Sequence, residues 1–293
     1  MSGFGRRLQQ GSGGAIASSS SFPKVMIIIM ENRTKSEVVG SSNFPFFNSL
    51  PAQLTNMTAI AHPSLPNYVA LVGGDTYGIT NDSPGFTIAS SNKCLFDRLQ
   101  AANIPWAVYC ENMGSQAAPW STDNSLYAHK HNPVSWFNSV SGTTAEAAKV
   151  KDASHCITDL NGGAPPAFVF YTPNLNDDGH DTTGTTPDTW LQGFVTQVRG
   201  TNWYANKGAI LIIWDEAESV DTTHIGSWPG GGQIAAAIDT AVSASSIPGK
   251  GTAVNHVGTL AGLLQLYGNL SALGSSADSS NGNLHAQLLA ATS

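Results

Sequence analysis

Lys24–Met30 (KVMIIIM), Ala167–Thr172 (AFVFYT) and Ala209–Trp214 (AILIIW) are the three stretches that decide the fold. Each is strand-length and rich in β-branched or aromatic residues. None alternates polar with apolar positions, so each strand is covered on both faces, as in a parallel sheet sandwiched by helices. Trp106–Tyr109 is a weaker fourth strand. Between the strands, Val257, Leu260, Leu263, Leu264 and Tyr267 recur at helical spacing, and Cys94–Ala101 and Asn67–Val72 read as shorter helices. The pattern predicts an α/β fold with a mostly parallel central sheet.

Composition narrows the function classes. Charged residues make up 11% of the 293, well below the usual quarter or so, and 13 Lys+Arg face 20 Asp+Glu for a net charge of −7. That field repels phosphate backbones, so nucleic acid is excluded as a partner. No apolar run approaches the ~18 residues of a membrane span. Residues 1–22 are Gly/Ser-rich with two arginines and no apolar stretch, and are expected to be a disordered leader or linker rather than an intact signal peptide. Residues 23–293 show no repeat and no internal linker, and are expected to form one domain. Cys94, Cys110 and Cys156 have neither CxxC nor zinc spacing, leaving one bridge plus a free thiol or three buried thiols. Four Asn-x-Ser/Thr sequons, at Asn32, Asn56, Asn81 and Asn269, accord with an exported protein.

The segments just after the apolar runs carry the chemistry. The first run leads into Glu31-Asn32, the second into Asn174-Leu175-Asn176-Asp177-Asp178-Gly179-His180-Asp181, and the third into Asp215-Glu216. Open parallel sheets bind ligands at the carboxyl ends of their strands, so these acidic clusters are expected to converge. Carboxylates a few ångströms apart repel one another, and convergence is tolerated only with a cation or with raised pKa values. Glu and Asn offer hard oxygen ligands suited to Mg²⁺, Mn²⁺, Ca²⁺ or Zn²⁺. Neighbouring side chains on an extended strand point apart, so Asp215 and Glu216 reach one ion only if the strand has ended and the backbone turns.

In His62-Pro63-Ser64-Leu65-Pro66-Asn67-Tyr68 a serine stands at the start of an expected helix that Gly73-Gly74 closes. Its local reading is an N-cap. Its chemical reading is a nucleophile beside free N–H groups and a positive dipole end, which suits attack on phosphorus. A divalent cation would lower the hydroxyl pKa without a dedicated histidine base. The GxSxG elbow of serine hydrolases is absent. His180, flanked by aspartates on a Gly-containing turn, suits a second metal or a proton donor to phosphate, and His256 is the other candidate histidine. His129 and His131 form a local pair, but Lys130 between them argues against a metal site there. His155, His224 and His285 read as ordinary surface or core histidines.

The ordered motifs MENR (Met30–Arg33), HPSLPNYVALVGG (His62–Gly74), CLFDRL (Cys94–Leu99), YAHKHNP (Tyr127–Pro133), TPNLNDDGHD (Thr172–Asp181), WDE (Trp214–Glu216) and NHVGTLAGLLQLYG (Asn255–Gly268) resemble the phosphoesterase family. That family holds bacterial and fungal acid phosphatases and phosphatidylcholine-type phospholipases C, within the alkaline phosphatase superfamily. The resemblance spans about residues 24–275. It implies a three-layer αβα sandwich and metal-assisted attack on phosphorus through a phosphoseryl intermediate. By position, Glu31, Asn32, Asp215 and Glu216 would hold the principal metal, with Ser64 as its nucleophilic ligand and Asn67 donating to a nonbridging oxygen. His62, Asp178, His180 and His256 match positions on the other side of the phosphate. Two-metal relatives hold a second ion there, and in one-metal relatives histidines would bind phosphate or protonate the leaving oxygen. Arg33 stands where the family usually has His, a change expected to alter substrate contacts and spare the ligands. Asn32 lies in a sequon, and a buried ligand cannot carry glycan.

The expectation is therefore a secreted or periplasmic phosphomonoesterase of the acid phosphatase kind. It would act on small phosphate esters with one or two divalent ions, zinc, magnesium, manganese or calcium. The rivals are a phosphodiesterase of the phospholipase C kind and a non-catalytic metal- or phosphate-binding protein on the same scaffold. A sulfatase is disfavoured, because the Cys/Ser-x-Pro-x-Arg signature is missing.

Overall fold

The computed structural model describes residues 22–293 apart from Ser219, so the expected leader lies outside the described residues but for Phe22. Each of the three apolar runs becomes a strand buried along its whole length: β1 (Lys24–Met30), β5 (Phe168–Thr172) and β6 (Gly208–Trp214). The weaker fourth run forms β3 (Trp106–Cys110), also buried throughout. With β4 (Val150–Asp152) and β8 (Ala236–Thr240) they make a six-stranded sheet in the order β4-β3-β5-β1-β6-β8. Every pairing in it is parallel except that of β6 with β8.

This order places the functional chemistry. β1 lies between β5 and β6, so the three strands with acidic sequels are immediate neighbours and their carboxyl ends lie ~5 Å apart. The end of β6 is fixed by packing, because Phe44 and Phe47 meet the Trp214 ring edge-on at centroid distances of 5.8 and 5.1 Å. Burying aromatics of this size contributes roughly 1.5–3 kcal/mol each, which holds the following Asp215 in place.

A second, three-stranded sheet, β7-β2-β9, joins β2 (Met57–Thr58), β7 (Gln233–Ile234) and β9 (Val254–Asn255). β2 and β9 run parallel, and each precedes a helix, Ser64–Gly73 and His256–Leu266. These helices pack on each other, with Ile60, Ala61, Ala70 and Val257 forming a small cluster between the segments. Asn255 caps the second helix by accepting from Gly258 N at 2.9 Å. Gly74 closes the first at φ 78°, where a Cβ would lie 2.1 Å from the Leu273 carbonyl oxygen. The longest helix, Thr186–Arg199, is not among the expected ones, although it buries Leu191, Phe194, Val195 and Val198 at helical spacing. All three cysteines are buried and free. No helix among the described residues is long and apolar enough to cross a membrane.

Candidate active site

Pro63, extended, holds the N-cap position of the helix Ser64–Gly73, and Ser64 is its first residue. The hydroxyl is therefore not spent on the helix's own N–H groups, and the local N-cap reading does not hold. Ser64 Oγ lies 3.0 Å from Glu216 Oε1 and 3.2 Å from Glu31 Oε2. A hydroxyl has one hydrogen and can donate to one of these oxygens at a time. The other contact sets lone pair against lone pair, which a proton or a cation would relieve.

The ligand candidates from β1 and β6 do converge. Glu31 follows β1 and is wholly buried, its backbone N–H bonded to the Asp178 carbonyl at 3.0 Å. Its Oε1 accepts from the Tyr68 hydroxyl at 2.5 Å. Asn32 adopts φ 50°, and this turn aims its N–H at Asp215 Oδ1, 2.9 Å away. The backbone has left β6 at Asp215, as two adjacent carboxylates on one site require: Asp215 and Glu216 are both buried, and Glu216 reaches Ser64. Asp215 Oδ2 is buried without any hydrogen-bond partner.

The loop after β5 divides at Gly179, whose φ of 95° suits glycine and separates an inward Asp178 from an outward His180. Asp178 is fully buried. Its Oδ1 accepts from His180 N at 2.7 Å, and its Oδ2 has no partner. His131, contrary to the expectation from its neighbour Lys130, lies in the middle of the cluster. Its ring stacks on Tyr68 at 5.1 Å, with Nε2 3.2 Å from Glu31 Oε1 and Nδ1 3.4 Å from Asp178 Oδ2. Glu31, His131 and His180 each offer one ligand atom within 4.8 Å of the others. The case against a metal site at the histidine pair thus holds for His129, which stacks on Trp136, but not for His131. The intervening Lys130 turns outward to Asp82 and His180. The usable signal is an HKH turn placed to meet strand ends, but its partners come from β1 and the β5 loop, far away in sequence.

Two expectations change with the geometry. Asn67, expected to donate to phosphate, has its amide used up: Oδ1 accepts from Ile60 N and Ala61 N, and Nδ2 donates to Ala61 O and Pro63 O. It shapes the loop that presents Ser64. His256, expected to face phosphate as a catalytic histidine, is wholly buried and bonded through Nε2 to the Trp214 carbonyl at 3.0 Å. Burial pulls its pKa down to about 4, and its Nδ1 is buried without a hydrogen-bond partner. Arg33, expected to alter substrate contacts and spare the ligands, lines the pocket and also donates to the carbonyls of Gly179 and Thr182, so that it clamps the Asp178–His180 loop. His62 lines the pocket, its Nδ1 bonded to Glu216 Oε2 and its Nε2 2.9 Å from the Asp221 carbonyl. The Glu216 contact raises its pKa.

Electrostatics set the cluster apart. Burial, with the Asp215 and Asp178 charges, pushes Glu31 well above the carboxylate range, and burial does the same to Asp178. Burial and then the Glu216 charge push Asp215 up to about 8. Four buried carboxyls, two orphaned oxygens and imidazole nitrogens beside them form a donor set that fits a divalent cation. The cluster opens onto a pocket of about 380 Å³ lined by Asn32, Arg33, His62, His180 and Glu216.

A profile of the Phosphoesterase family matches residues 53–230, more than half of the chain. The chain belongs to the Phosphoesterase family. The ordered motifs along its sequence point the same way. An acid phosphatase of Aspergillus fumigatus is 30% identical over 201 residues, which cover 67% of this chain and 45% of that protein. The phosphatidylinositol-3-phosphatase of Mycobacterium tuberculosis is 29% identical over 216 residues, covering 72% of this chain and 69% of that protein. The chain spans about half the length of the fungal relatives it matches. The structure of a protein in the alkaline phosphatase superfamily from Vibrio parahaemolyticus has a TM-score of 0.54 at 13% identity, over 84% of this chain and 67% of that one. Such a likeness shows the fold, an alkaline phosphatase-like αβα sandwich with a mostly parallel sheet.

Proposed function

We propose that residues 23–293 act as one secreted or periplasmic phosphoesterase domain that hydrolyses phosphate monoesters with the aid of a divalent metal ion. The observation that carries this is the Ser64 hydroxyl, held between buried Glu31 and Glu216 at the start of a helix, with the unpartnered Asp215 Oδ2 in the same cluster. Glu31, Asn32, Asp215 and Glu216 would hold the ion. When bound, it supplies charge neutralisation for the phosphoryl oxygens and a lowered hydroxyl pKa.

The chain's own residues do the rest. Ser64 Oγ attacks phosphorus, its proton passes to the neighbouring carboxylate, and the bond from phosphorus to the ester oxygen breaks. The alcohol leaves through the pocket mouth, where His180, steadied through Nδ1 on Asp181 at 2.6 Å, and solvent supply its proton. Water then attacks the phosphoserine and releases inorganic phosphate, restoring the hydroxyl. Tyr68 and His131 hold Glu31, and Asn67 holds the loop before Ser64.

Fungal acid phosphatase relatives support a monoester, and the mycobacterial relative is named a phosphatidylinositol-3-phosphatase, so a soluble monoester and one borne on a lipid headgroup are both substrates to assay. The Ser64→Ala variant is expected to lose p-nitrophenyl phosphate turnover while keeping its circular dichroism spectrum and its metal content. Wild-type turnover in that variant would defeat the proposal.

A further inference from the structure

A cleft larger than the pocket at Ser64 takes no part in the proposed reaction. It holds about 860 Å³, within the ~300–1,000 Å³ of small-molecule sites, and lies between the ends of β3, β4 and β5 and the helix Thr186–Arg199. Trp190 of that helix lines it, half-buried. The indole Nε1 donates to Glu111 Oε1 at 3.1 Å, and the ring stacks on Phe194 at 5.3 Å, which in turn meets Tyr171 at 4.1 Å. The polar atom of the indole is thus engaged, and what it offers a ligand is flat, apolar ring surface on a fixed backing.

Gly193 lines the same cleft from the middle of the helix. Glycine there costs stability relative to alanine, yet no side chain or other element lies within 4 Å of where a Cβ would stand. Packing of the helix does not call for a glycine at this position. A ligand that comes close to the helix backbone does.

The polar lining fixes the ligand's chemistry. Glu111, Asp152 and Asp177 border the cleft, and none of the described residues lining it is Lys, Arg or His, so an anion would meet carboxyls without a counter-charge. These groups are held in place by neutral partners: Asp152 accepts from Gly114 N at 2.8 Å and from the Ser154 hydroxyl at 2.6 Å, and Asn112 Oδ1 accepts from Asn174 Nδ2 at 2.9 Å. The Asn112 amide, the Ser154 hydroxyl and Gln197 bring both donors and acceptors to the rim. An organic ammonium needs acceptors alone, whereas a sugar hydroxyl both donates and accepts.

We propose that this cleft binds a neutral carbohydrate, with the apolar C–H face of a sugar ring on Trp190, close against Gly193, and its hydroxyls on the fixed polar side chains. Asp177 lines the cleft and the next residue, Asp178, belongs to the cluster at Ser64, so the sugar would sit beside the phosphate site.

The test uses the full chain. Binding is read on an array of neutral and sialylated oligosaccharides, and the best neutral one is titrated calorimetrically into the wild type, Trp190→Ala and Gly193→Gln, beside choline chloride. Array binding confined to neutral glycans is expected, with Kd raised at least about 10-fold in both variants. Gly193→Gln fills the open space from an exposed helix position and is expected to melt no lower than the wild type, so it carries the test even if Trp190→Ala does not fold. No neutral glycan bound at millimolar concentration, an unchanged affinity in Gly193→Gln, or choline bound where no glycan is, would each overturn the proposal. Ser64→Ala is expected to bind the glycan as the wild type does, so failure of the phosphatase reading would leave this result standing.

Discussion

Two carboxylate clusters lie side by side at the carboxyl edge of the main sheet, and the protein treats them differently. Glu111 follows β3 and Asp177 belongs to the β5 loop. They border an open cleft of about 860 Å³, larger than the pocket at Ser64. Glu111 Oε1 accepts from the Tyr171 hydroxyl at 2.8 Å and Trp190 Nε1 at 3.1 Å, while Oε2 accepts from Asn174 N and Nδ2 at 3.0 and 3.1 Å. Both oxygens are satisfied by neutral donors, and the carboxylate is a joint between elements. At Ser64 the buried carboxyls have fewer donors than acceptor sites, and oxygens of Asp178 and Asp215 have none. The same chemical group serves structure in one place and is left short of partners in the other. Cavity size points to the first place and unmet electrostatic demand to the second, and chemistry follows demand.

The largest expected contrast is in turnover. Chelation with EDTA, or Asp215→Asn, should lower kcat/KM for p-nitrophenyl phosphate by ~10³-fold or more, whereas Glu111→Gln should remain within about threefold. Equal losses would erase the distinction between the clusters.

Next in size is a thermal shift. Zinc at ~100 times its Kd should stabilise the wild type by ~2.7 kcal/mol, seen as a rise of several degrees in Tm. Glu111→Gln should keep that rise and Asp215→Asn should lose most of it.

A buried amide stripped of four bonds makes the third case. Asn67→Ala should cost ~1–3 kcal/mol in urea unfolding and slow turnover by misplacing Ser64. Loss of activity without loss of stability would return Asn67 to a direct role at phosphate.

A further contrast is in pH dependence. Asp215 is pushed up to about 8 by burial and the Glu216 charge, and Glu111 up to about 7 by burial. Unfolded, they ionise near the ordinary values of 3.8 and 4.5. Between those limits these two groups hold more protons in the folded state than in the unfolded one, so the stability they contribute is greatest below about pH 4 and declines as pH rises toward 8. In the metal-free enzyme both clusters contribute to this decline. Zinc should remove the part due to Asp215 and leave the part due to Glu111, which ends near pH 7. Tm profiles with and without zinc check this, and superimposable slopes would contradict it.

Much of this was legible in the sequence because the signals were local. KVMIIIM, AFVFYT and AILIIW have no polar face, so they declared buried parallel strands, and their acidic sequels declared where the site would lie. β8, read from AAIDT, escaped because alanines carry little strand preference and it pairs antiparallel at the edge. Asn67 and His256 escaped in the opposite sense: their positions fit a phosphate site, and only hydrogen-bond accounting shows that one is spent on a loop and the other is held through Nε2 on the Trp214 carbonyl with Nδ1 left unpartnered. His131 and Lys130 gain their roles from partners on other elements, and no local spacing encodes that.

The central claim is that the cluster left short of partners exists to serve a serine nucleophile. Its most direct test is to quench zinc-loaded enzyme in acid during turnover of a phosphate monoester and map the phosphorylated peptides by mass spectrometry. A phosphoryl group on Ser64, absent when substrate is withheld, is the predicted result. Full turnover with Ser64 unmodified at every quench time would contradict the account.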